Sequence, residues 1–444
     1  MQKLFGTDGV RGVANRELTP EMALTLGRAA AHVLSGKAPK ILIGKDTRKS
    51  SDMLEAALTA GLCAAGATVY HAGTIPTPGI AYLVRHYGMD AGAMISASHN
   101  AMPDNGIKFF SAEGTKLPDA MEAEIESHYY KAEAIPRPEG ADVGQVNACE
   151  NAAKDYATYL ISSMPELDLR GLNIALDCAN GATSAIAAQV FEAFGATVHT
   201  IHNTPDGKNI NENCGSTHMQ ALQEYVRTDR FDVGLAFDGD GDRVLAVDDK
   251  GMEVDGDVIM AICGLDMYKR GKLPGNAIVA TVMSNLGLVS FCREQGIILH
   301  RTQVGDRYVS EKMIMDGCAL GGEQSGHIIF AEHAKSGDGI LTGLHLLGVL
   351  AREKQPLSVL RQVMEIFPQT LKNIRIEKTR KNALLQLPTL LTAQKRIEAQ
   401  LGENGRVLIR ASGTEPLIRV MIEGREQAQI EAWAEELAEI IAQG

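Results

Sequence analysis

Three aspartates at alternate positions form the densest chemical pattern in the chain. Asp238, Asp240 and Asp242 lie in DVGLAFDGDGDRVLAVDD, between two apolar segments that read as buried strands. In an extended segment alternate side chains point the same way, so the three carboxylates would lie together and repel unless a hard divalent cation lay among them. A solvated acidic turn is the ordinary alternative. An EF-hand is excluded, because Arg243 and Asp249 occupy the places of its glycine and glutamate.

A serine near a predicted strand end is the second candidate. Ser98 follows the apolar start of AGAMISASHNAMPDNGIKFF, and His99 and Lys108 lie close to it in the chain. An exposed and activated serine hydroxyl can act as a nucleophile, although such a serine is more often a helix cap or a turn residue. No GxSxG motif surrounds it, so nothing indicates an acyl-transfer triad.

Two arginines flank a small turn near the C-terminus. In IRASGTEPLIRV, Arg410 and Arg419 enclose Ser412, Gly413 and Thr414. Guanidinium groups match phosphate oxygens in bidentate geometry, and the backbone N–H groups of such a turn can converge on an anion. We favour a phosphate-binding loop over the alternative, a plain hairpin with ordinary arginines.

The segment GGEQSGHIIF supplies a weaker candidate. Glu323, Ser325 and His327 stand in a glycine-bracketed loop before an apolar strand, where they could bind sugar hydroxyls. Neither GxxxxGK[ST] nor GxGxxG occurs in the chain. Nucleotide-dependent phosphoryl transfer therefore has no support.

Three segments of the chain repeat one order of patterns. Those that begin at Lys40, Asn173 and Asn276 each run from an apolar stretch through a polar turn and a helical stretch to a second apolar run. Strand, helix and strand at this spacing predict a βαβ unit with right-handed crossovers. We therefore predict an α/β protein with three similar α/β domains whose sheets are mainly parallel. Residues 132–151 read as the first linker.

The C-terminal part has a different pattern. A strand-like LKNIRIEK, a helix over 389–401, two apolar strands and a final helix predict a smaller α+β domain. On the final helix Ile430, Trp433, Leu437, Ile440 and Ile441 share one face. Four domains are predicted, over 1–151, 152–253, 254–367 and 368–444.

Composition limits the class of partner. The 444 residues include 43 Lys plus Arg against 55 Asp plus Glu, a net charge of -12, with no basic patch that would attract nucleic acid or an anionic membrane. The long uncharged stretches contain Gly, Pro and Asn and read as strand, turn and helix. Seven scattered cysteines, and Asp8 and Arg11 in place of a signal-peptide apolar region, favour a cytoplasmic protein with reduced thiols.

The motifs GTDGVRG, ISASHN with DNGIK, DGDGDR, GEQSGH and RASGTEP occur in this order. As a set they resemble the α-D-phosphohexomutase superfamily over essentially the whole chain. The block PDGKNINENCGSTH and the GEQSGH form are similar to the bacterial branch that isomerises glucosamine phosphates. One departure is Ala101, where the family usually has proline, and we expect it to loosen the serine loop slightly.

The resemblance implies roles for the residues that match these motifs. Three α/β domains and a smaller fourth one would surround a central cleft. The phosphoserine and Mg²⁺ ligands would be Ser98, Asp238, Asp240 and Asp242. Catalytic or charge-stabilising roles are implied for Ser98, Arg11, Lys108, His327, His99 and Arg243. Sugar and phosphate contacts are implied for Glu323, Ser325, Arg410, Ser412, Gly413, Thr414 and Arg419. The segment 302–308, TQVGDRY, is similar to a cleft loop of the family.

The implied activity is interconversion of glucosamine 6-phosphate and glucosamine 1-phosphate through a 1,6-bisphosphate, which would supply UDP-N-acetylglucosamine and peptidoglycan precursors. Its cofactors would be one Mg²⁺ per subunit and a hexosamine or hexose 1,6-bisphosphate activator. A small phosphosugar would be the substrate, and a homodimer is allowed. Two alternatives stay open: a preference for glucose or mannose phosphates, and a non-catalytic phosphosugar-binding protein.

Overall fold

The computed structural model describes residues 4–6, 8–34, 38–377, 380–411 and 417–443. The chain divides into a larger unit, 1–283 with 296–363, and a smaller unit, 284–295 with 364–444. The larger unit contains three sheets and the smaller unit one. The described residues also form several short 3-10 helices.

The first sheet of the larger unit has the strand order β1-β5-β4-β2-β3-β6. Its strands are β1 (Val10–Val13), β2 (Lys40–Lys45), β3 (Thr68–Thr74), β4 (Ala91–Ile95), β5 (Asp104–Ser111) and β6 (Val146–Ala148). The accompanying helices are α1 (Pro20–Val33), α2 (Ser51–Ala64), α3 (Thr77–His86) and α4 (Asp119–Tyr129). Helices α1 and α2 cross closely, since a Cβ on Gly61 would lie 2.0 Å from the Leu24 carbonyl oxygen.

The second sheet has the order β11-β10-β9-β7-β8. Its strands are β7 (Asn173–Asp177), β8 (Thr197–Ile201), β9 (Val233–Phe237), β10 (Val244–Asp248) and β11 (Glu253–Val254), and its helices are α5 (Ala152–Ser162), α6 (Ala187–Glu192) and α7 (Gln220–Asp229). Strands β9 and β10 are buried throughout and pair antiparallel, so the segment between them is a hairpin loop with apolar strands on both sides.

The third sheet has the order β13-β12-β14-β15. Its strands are β12 (Ala277–Thr281), β13 (Ile298–Thr302), β14 (Leu320–Gly322) and β15 (Ile328–Phe330). The helices of this part of the chain are α8 (Gly256–Lys269), α9 (Leu286–Gln295), α10 (Asp306–Asp316), α11 (Gly339–Glu353) and α12 (Leu357–Leu360). Of these, α9 belongs to the smaller unit.

The smaller unit is built on an antiparallel sheet of order β16-β18-β17. Its elements are β16 (Gln369–Arg375), α13 (Lys381–Leu384), α14 (Pro388–Leu401), β17 (Gly405–Ala411), β18 (Leu417–Gly424) and α15 (Gln427–Gln443). The predicted apolar face of the last helix is confirmed: Ile430, Trp433, Leu437 and Ile441 are buried and Ile440 packs beside them.

The three predicted βαβ repeats are confirmed by the parallel pairs β2–β3, β7–β8 and β12–β13. Each of the three sheets also contains an antiparallel pair beside its parallel strands: β4–β5, β9–β10 and β14–β15. The segment read as a linker, 132–151, contains β6, which pairs with β3 at the edge of the first sheet. Among the described helices none is long and apolar enough to cross a bilayer. The four domain boundaries stay a prediction.

Candidate active site

The loop between β9 and β10 gathers the three predicted aspartates. One carboxylate oxygen from each of the three lies within 4.8 Å of the other two, and Asp238, Asp240 and Asp242 are 1%, 0% and 6% exposed. The prediction of a cluster is therefore right, but the extended geometry behind it is wrong. Residues 239–242 form a turn and a bend, and Gly241 has φ +70°, so the bend of the hairpin and not the strand pleat brings the carboxylates together.

Burial and mutual repulsion shape the charges in this cluster. Burial, followed by the other two carboxylates, raises the pKa of Asp238 well above its ordinary value, and burial with the Asp240 charge raises the pKa of Asp242. Burial opposes ionisation of Asp240 too, but Lys108 Nζ at 2.9 Å and the Thr77 hydroxyl at 2.6 Å outweigh it and hold its pKa low.

The cluster fits a hard divalent cation. Asp240 Oδ1 and Asp242 Oδ1 are buried and accept no hydrogen bond from the described residues. Buried carboxylate oxygens without partners are costly unless a cation compensates them. An all-oxygen donor set of three carboxylates is what Mg²⁺ or Ca²⁺ prefers.

Ser98 lies directly beside this cluster. It follows β4, its Oγ donates to Asp238 Oδ2 at 2.6 Å, and the residue is 1% exposed. Its φ of +51° is left-handed, which costs a residue with a Cβ about 1–3 kcal/mol and persists only where neighbours impose it. A hydroxyl held in this way against a carboxylate cluster is placed for chemistry and not for helix capping.

The neighbouring His99 is close to Ser98 but has a lowered basicity. Its Nδ1 lies 3.3 Å from Ser98 Oγ. Burial, then the charges of Arg243 and Arg11, lower the pKa of His99 to about 3. The imidazole is therefore neutral near pH 7 and a weak base.

Cationic and acidic side chains alternate around Lys108. Lys108 Nζ lies 2.9 Å from Asp240, 3.5 Å from Asp8 and 3.9 Å from Asp242. Asp8 also pairs with Arg11 and Lys116. Burial works against the charge of Lys108, but its carboxylate neighbours raise its pKa above the ordinary value. The predicted Lys108 thus contacts the cluster directly, and the predicted Arg11 is joined to it through Asp8 and Lys108.

The same network reaches His327. Lys116 contacts Asp306 Oδ2 at 2.6 Å, and that carboxylate lies 3.6 Å from His327 Nε2. The backbone N–H of Gly337 donates to Nε2 at 3.1 Å, so the neutral ring carries its proton on Nδ1. Nδ1 is buried and has no hydrogen-bond partner in the described part of the chain.

The remaining predicted residues of the larger unit line neighbouring loops. The Arg243 backbone N–H donates to Asp238 Oδ1 at 3.1 Å, and its Nε lies 3.8 Å from Asp242. Glu323 Oε1 accepts from the Gly305 N–H at 3.2 Å, which joins the GEQSGH loop to the TQVGDRY segment. Ser325 is exposed.

The predicted phosphate-binding arginines belong to the smaller unit. Arg410 and Arg419 face each other directly across β17 and β18, so both guanidinium groups lie on one face of the hairpin. Ser412, Gly413 and Thr414 lie outside the described residues. Two cations side by side on a sheet repel, an arrangement that suits an anionic ligand.

Four residues that contact charged side chains of the site were not predicted from the sequence: Thr77, Asp8, Lys116 and Asp306. Of these, Asp8 lies in the motif GTDGVRG and Asp306 in TQVGDRY. Lys116 and Thr77 carry no local pattern at all. Their roles arise from long-range contacts.

Comparison with known proteins gives four matches in order along the chain. Models described as phosphoglucomutase/phosphomannomutase match residues 2–135 as alpha/beta/alpha domain I, 154–251 as domain II, 255–367 as domain III and 371–440 as the C-terminal domain.

Similar sequences and structures extend over the full length. A phosphoglucosamine mutase of Acetivibrio thermocellus is 53% identical, with 99% of each chain covered. One of Oceanobacillus iheyensis is 50% identical and covers 100% of this chain and 99% of its own. The fold is shared with a phosphoglucomutase/phosphomannomutase family protein of Burkholderia thailandensis (TM-score 0.82, 24% identity, 100% and 98% covered). It is also shared with N-acetylphosphoglucosamine mutase of Aspergillus fumigatus, solved with GlcNAc-6P and magnesium (TM-score 0.73, 16% identity, 99% and 95% covered).

Proposed function

Because the chain belongs to the phosphoglucomutase/phosphomannomutase family, whose four domain models all match it, we propose that it interconverts glucosamine 6-phosphate and glucosamine 1-phosphate. The observation that carries the proposal is the buried Ser98 hydroxyl, 2.6 Å from Asp238 at the edge of a three-carboxylate cluster. Relatives named phosphoglucosamine mutase, 50–53% identical over the whole chain, support the choice of an amino sugar.

In the proposed reaction, Ser98 carries a phosphoryl group at the start of each cycle. The P–O bond to Ser98 Oγ breaks while a new one forms to the free hydroxyl of the sugar phosphate, which gives a 1,6-bisphosphate. The hydroxyl proton leaves to a base of the site. The bisphosphate turns end for end, the P–O bond to its other phosphoryl group breaks as that group returns to Ser98 Oγ, and the proton passes from the base to the freed sugar oxygen. No net phosphate or proton is consumed.

Asp238, Asp240 and Asp242, with the phosphate on Ser98, would hold one Mg²⁺. When bound, this ion would neutralise charge that develops on the transferred phosphoryl oxygens. Lys108, kept charged by Asp240, Asp8 and Asp242, would add fixed positive charge at the same place.

Roles for the other residues follow from their surroundings. Arg11 and Arg243 would stabilise phosphoryl charge. The weak basicity of His99 argues against it as the general base. For His327 we propose a proton-transfer or charge-stabilising role. Glu323 and Ser325 would bind sugar hydroxyls. The non-transferred phosphate would be bound by Arg410, Ser412, Gly413, Thr414 and Arg419.

The finer features of the proposal are a cytoplasmic enzyme, a homodimer and activation by a hexosamine or hexose 1,6-bisphosphate. The product would enter the synthesis of UDP-N-acetylglucosamine. A pure phosphosugar-binding protein is disfavoured, because binding alone does not require a serine hydroxyl directed at a carboxylate cluster.

A coupled assay tests the proposal. Purified protein is supplied with Mg²⁺, a trace of glucose 1,6-bisphosphate and, in parallel, the 6-phosphates of glucosamine, glucose and mannose. We expect the highest kcat/KM with the glucosamine compound. A preference for glucose or mannose 6-phosphate would reassign the substrate, and release of inorganic phosphate without isomerised sugar would contradict a mutase.

A further inference from the structure

We propose that Arg48 and Asn211 are positioning residues for phosphoryl transfer, which fix the backbone of the Ser98 loop, residues 96–104, and thereby aim the Ser98 oxygen. The inference rests on the function proposed above. Among the described residues, neither side chain makes a hydrogen bond or ion pair with the three carboxylates of the metal cluster. Both act on the peptide groups that carry Ser98.

Arg48 is 2% exposed and uses all of its donors. A guanidinium has five N–H groups, and one of them, on Nε, pairs with Asp46 Oδ2 at 2.9 Å. The other four donate to backbone carbonyls of the loop: Ala101 (2.6 Å), Asp104 (3.0 Å), Ser98 (2.9 Å) and Asn100 (2.7 Å). One buried side chain therefore fixes four peptide planes of the nine-residue Ser98 loop.

Asp46 helps to fix the other backbone polar group of Ser98, its N–H. Its carboxylate accepts from Arg48 and, at 2.6 Å, from the Ser96 hydroxyl. The Ser96 oxygen in turn accepts the backbone N–H of Ser98 at 2.9 Å. Both backbone polar groups of Ser98 are thus held through one buried ion pair.

Asn211 reaches the loop from the second sheet's side of the larger unit. Its Nδ2 donates to the carbonyls of Ser98 at 2.8 Å and Asn100 at 3.0 Å. Its own backbone is left-handed, with φ +56°, a conformation that asparagine tolerates well. The Gly239 backbone packs on the same carbonyl, since a Cβ there would lie 2.7 Å from Ser98 O.

These contacts explain how Ser98 keeps a left-handed φ. If they were lost, the peptide planes on either side of Ser98 could rotate, and the Oγ would move relative to Asp238. A displacement of about 1 Å at a reacting atom typically costs about 10²-fold in rate. Substrate binding through other loops would be little affected, so the loss should fall on kcat.

Two substitutions test the role in full-length enzyme. Arg48→Lys keeps the buried charge but has three N–H donors in place of five, and Asn211→Asp keeps shape and backbone while replacing the donor by an acceptor. We expect each to lower kcat at least about 10²-fold with KM changed less than about threefold. The rate at which glucose 1,6-bisphosphate phosphorylates Ser98 should fall in parallel.

Asn213→Asp is the matched control. Asn213 has φ +53° two residues along the same segment, and it is exposed, so the same chemical change should leave kcat within about twofold. Melting temperatures identify unfolded variants; if Arg48→Lys does not fold, Asn211→Asp decides. Retention of kcat in the folded variants, or equal loss in Asn213→Asp, overturns the inference. A wild-type enzyme that isomerises no phosphosugar would instead refute the proposed function.

Discussion

At the scale of single residues, the site is governed by how buried charges are compensated. Asp240 is fully buried, and its Oδ2 accepts from both Lys108 and Thr77 while its Oδ1 is left for a further cation. Asp238 and Asp242 have no lysine at hydrogen-bond distance among the described residues, and their pKa values are raised by burial first and by neighbouring carboxylates second. Asp240 is therefore the carboxylate of the cluster that ionises most readily.

Asp240→Asn tests this role. The amide is isosteric but uncharged, so it would leave Lys108 without its nearest counter-ion and the proposed cation without a ligand. We expect kcat to fall at least about 10²-fold, the scale of a lost electrostatic contact in a water-poor site, and the Mg²⁺ concentration for half-maximal activity to rise. Steady-state kinetics over a Mg²⁺ titration measures both.

The control for that substitution is Asp168→Asn, since Asp168 pairs with Arg170 on the exposed surface. Asp168→Asn should keep the wild-type kcat and the wild-type Mg²⁺ concentration for half-maximal activity. Undiminished activity of Asp240→Asn, or full activity of wild-type enzyme after EDTA treatment, would remove the metal assignment.

At the level of elements, the first residues of helix α11 contact the loop between β9 and β10 that carries the three aspartates. Asp338 caps the helix by accepting the Leu341 N–H at 3.0 Å, and it also accepts the Tyr156 hydroxyl at 2.7 Å. The next residue, Gly339, donates its N–H to the Gly241 carbonyl at 3.0 Å. This hydrogen bond joins the start of helix α11 directly to the bend of the loop that carries the three aspartates.

The cap predicts a dependence of stability on pH. Burial raises the pKa of Asp338 to about 6, against about 3.9 for an unfolded aspartate. Between about pH 4 and pH 6 the native state holds a proton that the unfolded state has lost, so the free energy of unfolding falls as pH rises. An asparagine side chain at this position cannot ionise and is as good a cap. Asp338→Asn should therefore gain stability relative to wild type, by up to about 3 kcal/mol at pH 7 and by nearly nothing at pH 4.

Urea unfolding at several pH values measures this difference. Asp206 provides the comparison, because hydrogen bonds from the Lys208 and Asn209 backbones lower its pKa and it is fully exposed. Asp206→Asn should show no gain on raising the pH. A difference between Asp338→Asn and wild type that is independent of pH would contradict the account of the cap.

For the molecule as a whole, the proposed cycle requires that Ser98 be phosphorylated before the enzyme can act. Unphosphorylated protein has nothing to donate, so phosphatase treatment should abolish isomerisation and remove one phosphate, which mass spectrometry would map to the peptide around Ser98. A catalytic amount of glucose 1,6-bisphosphate should restore the activity, because this compound is an intermediate of the reaction or a close analogue.

Ser98→Ala serves as the control for this cycle, since it lacks an acceptor oxygen and should not be revived. Dephosphorylated enzyme that isomerises at the full rate without any bisphosphate would rule out the phosphoserine mechanism.

Local patterns in the chain were enough to predict most of the elements and which residues gather at the site. Apolar runs, polar turns and helical stretches are local patterns, so the βαβ repeats and the apolar face of α15 could be predicted from them. The DGDGDR spacing predicted a carboxylate cluster, although it is the bend of the hairpin and not an extended segment that brings the carboxylates together. Motif order then indicated the family.

Which side chains compensate those charges depends on long-range contacts of the fold. Asp8, Lys116 and Asp306 come from distant parts of the chain and meet around Lys108 and His327. Arg48 and Ser98 are 50 residues apart, and Asn211 is 113 residues from Ser98. A local sequence pattern indicates only which residues are periodically buried. A buried charge is stabilised by whichever partner the fold brings within hydrogen-bond distance, and the residues next to that charge in the chain do not indicate which partner it is.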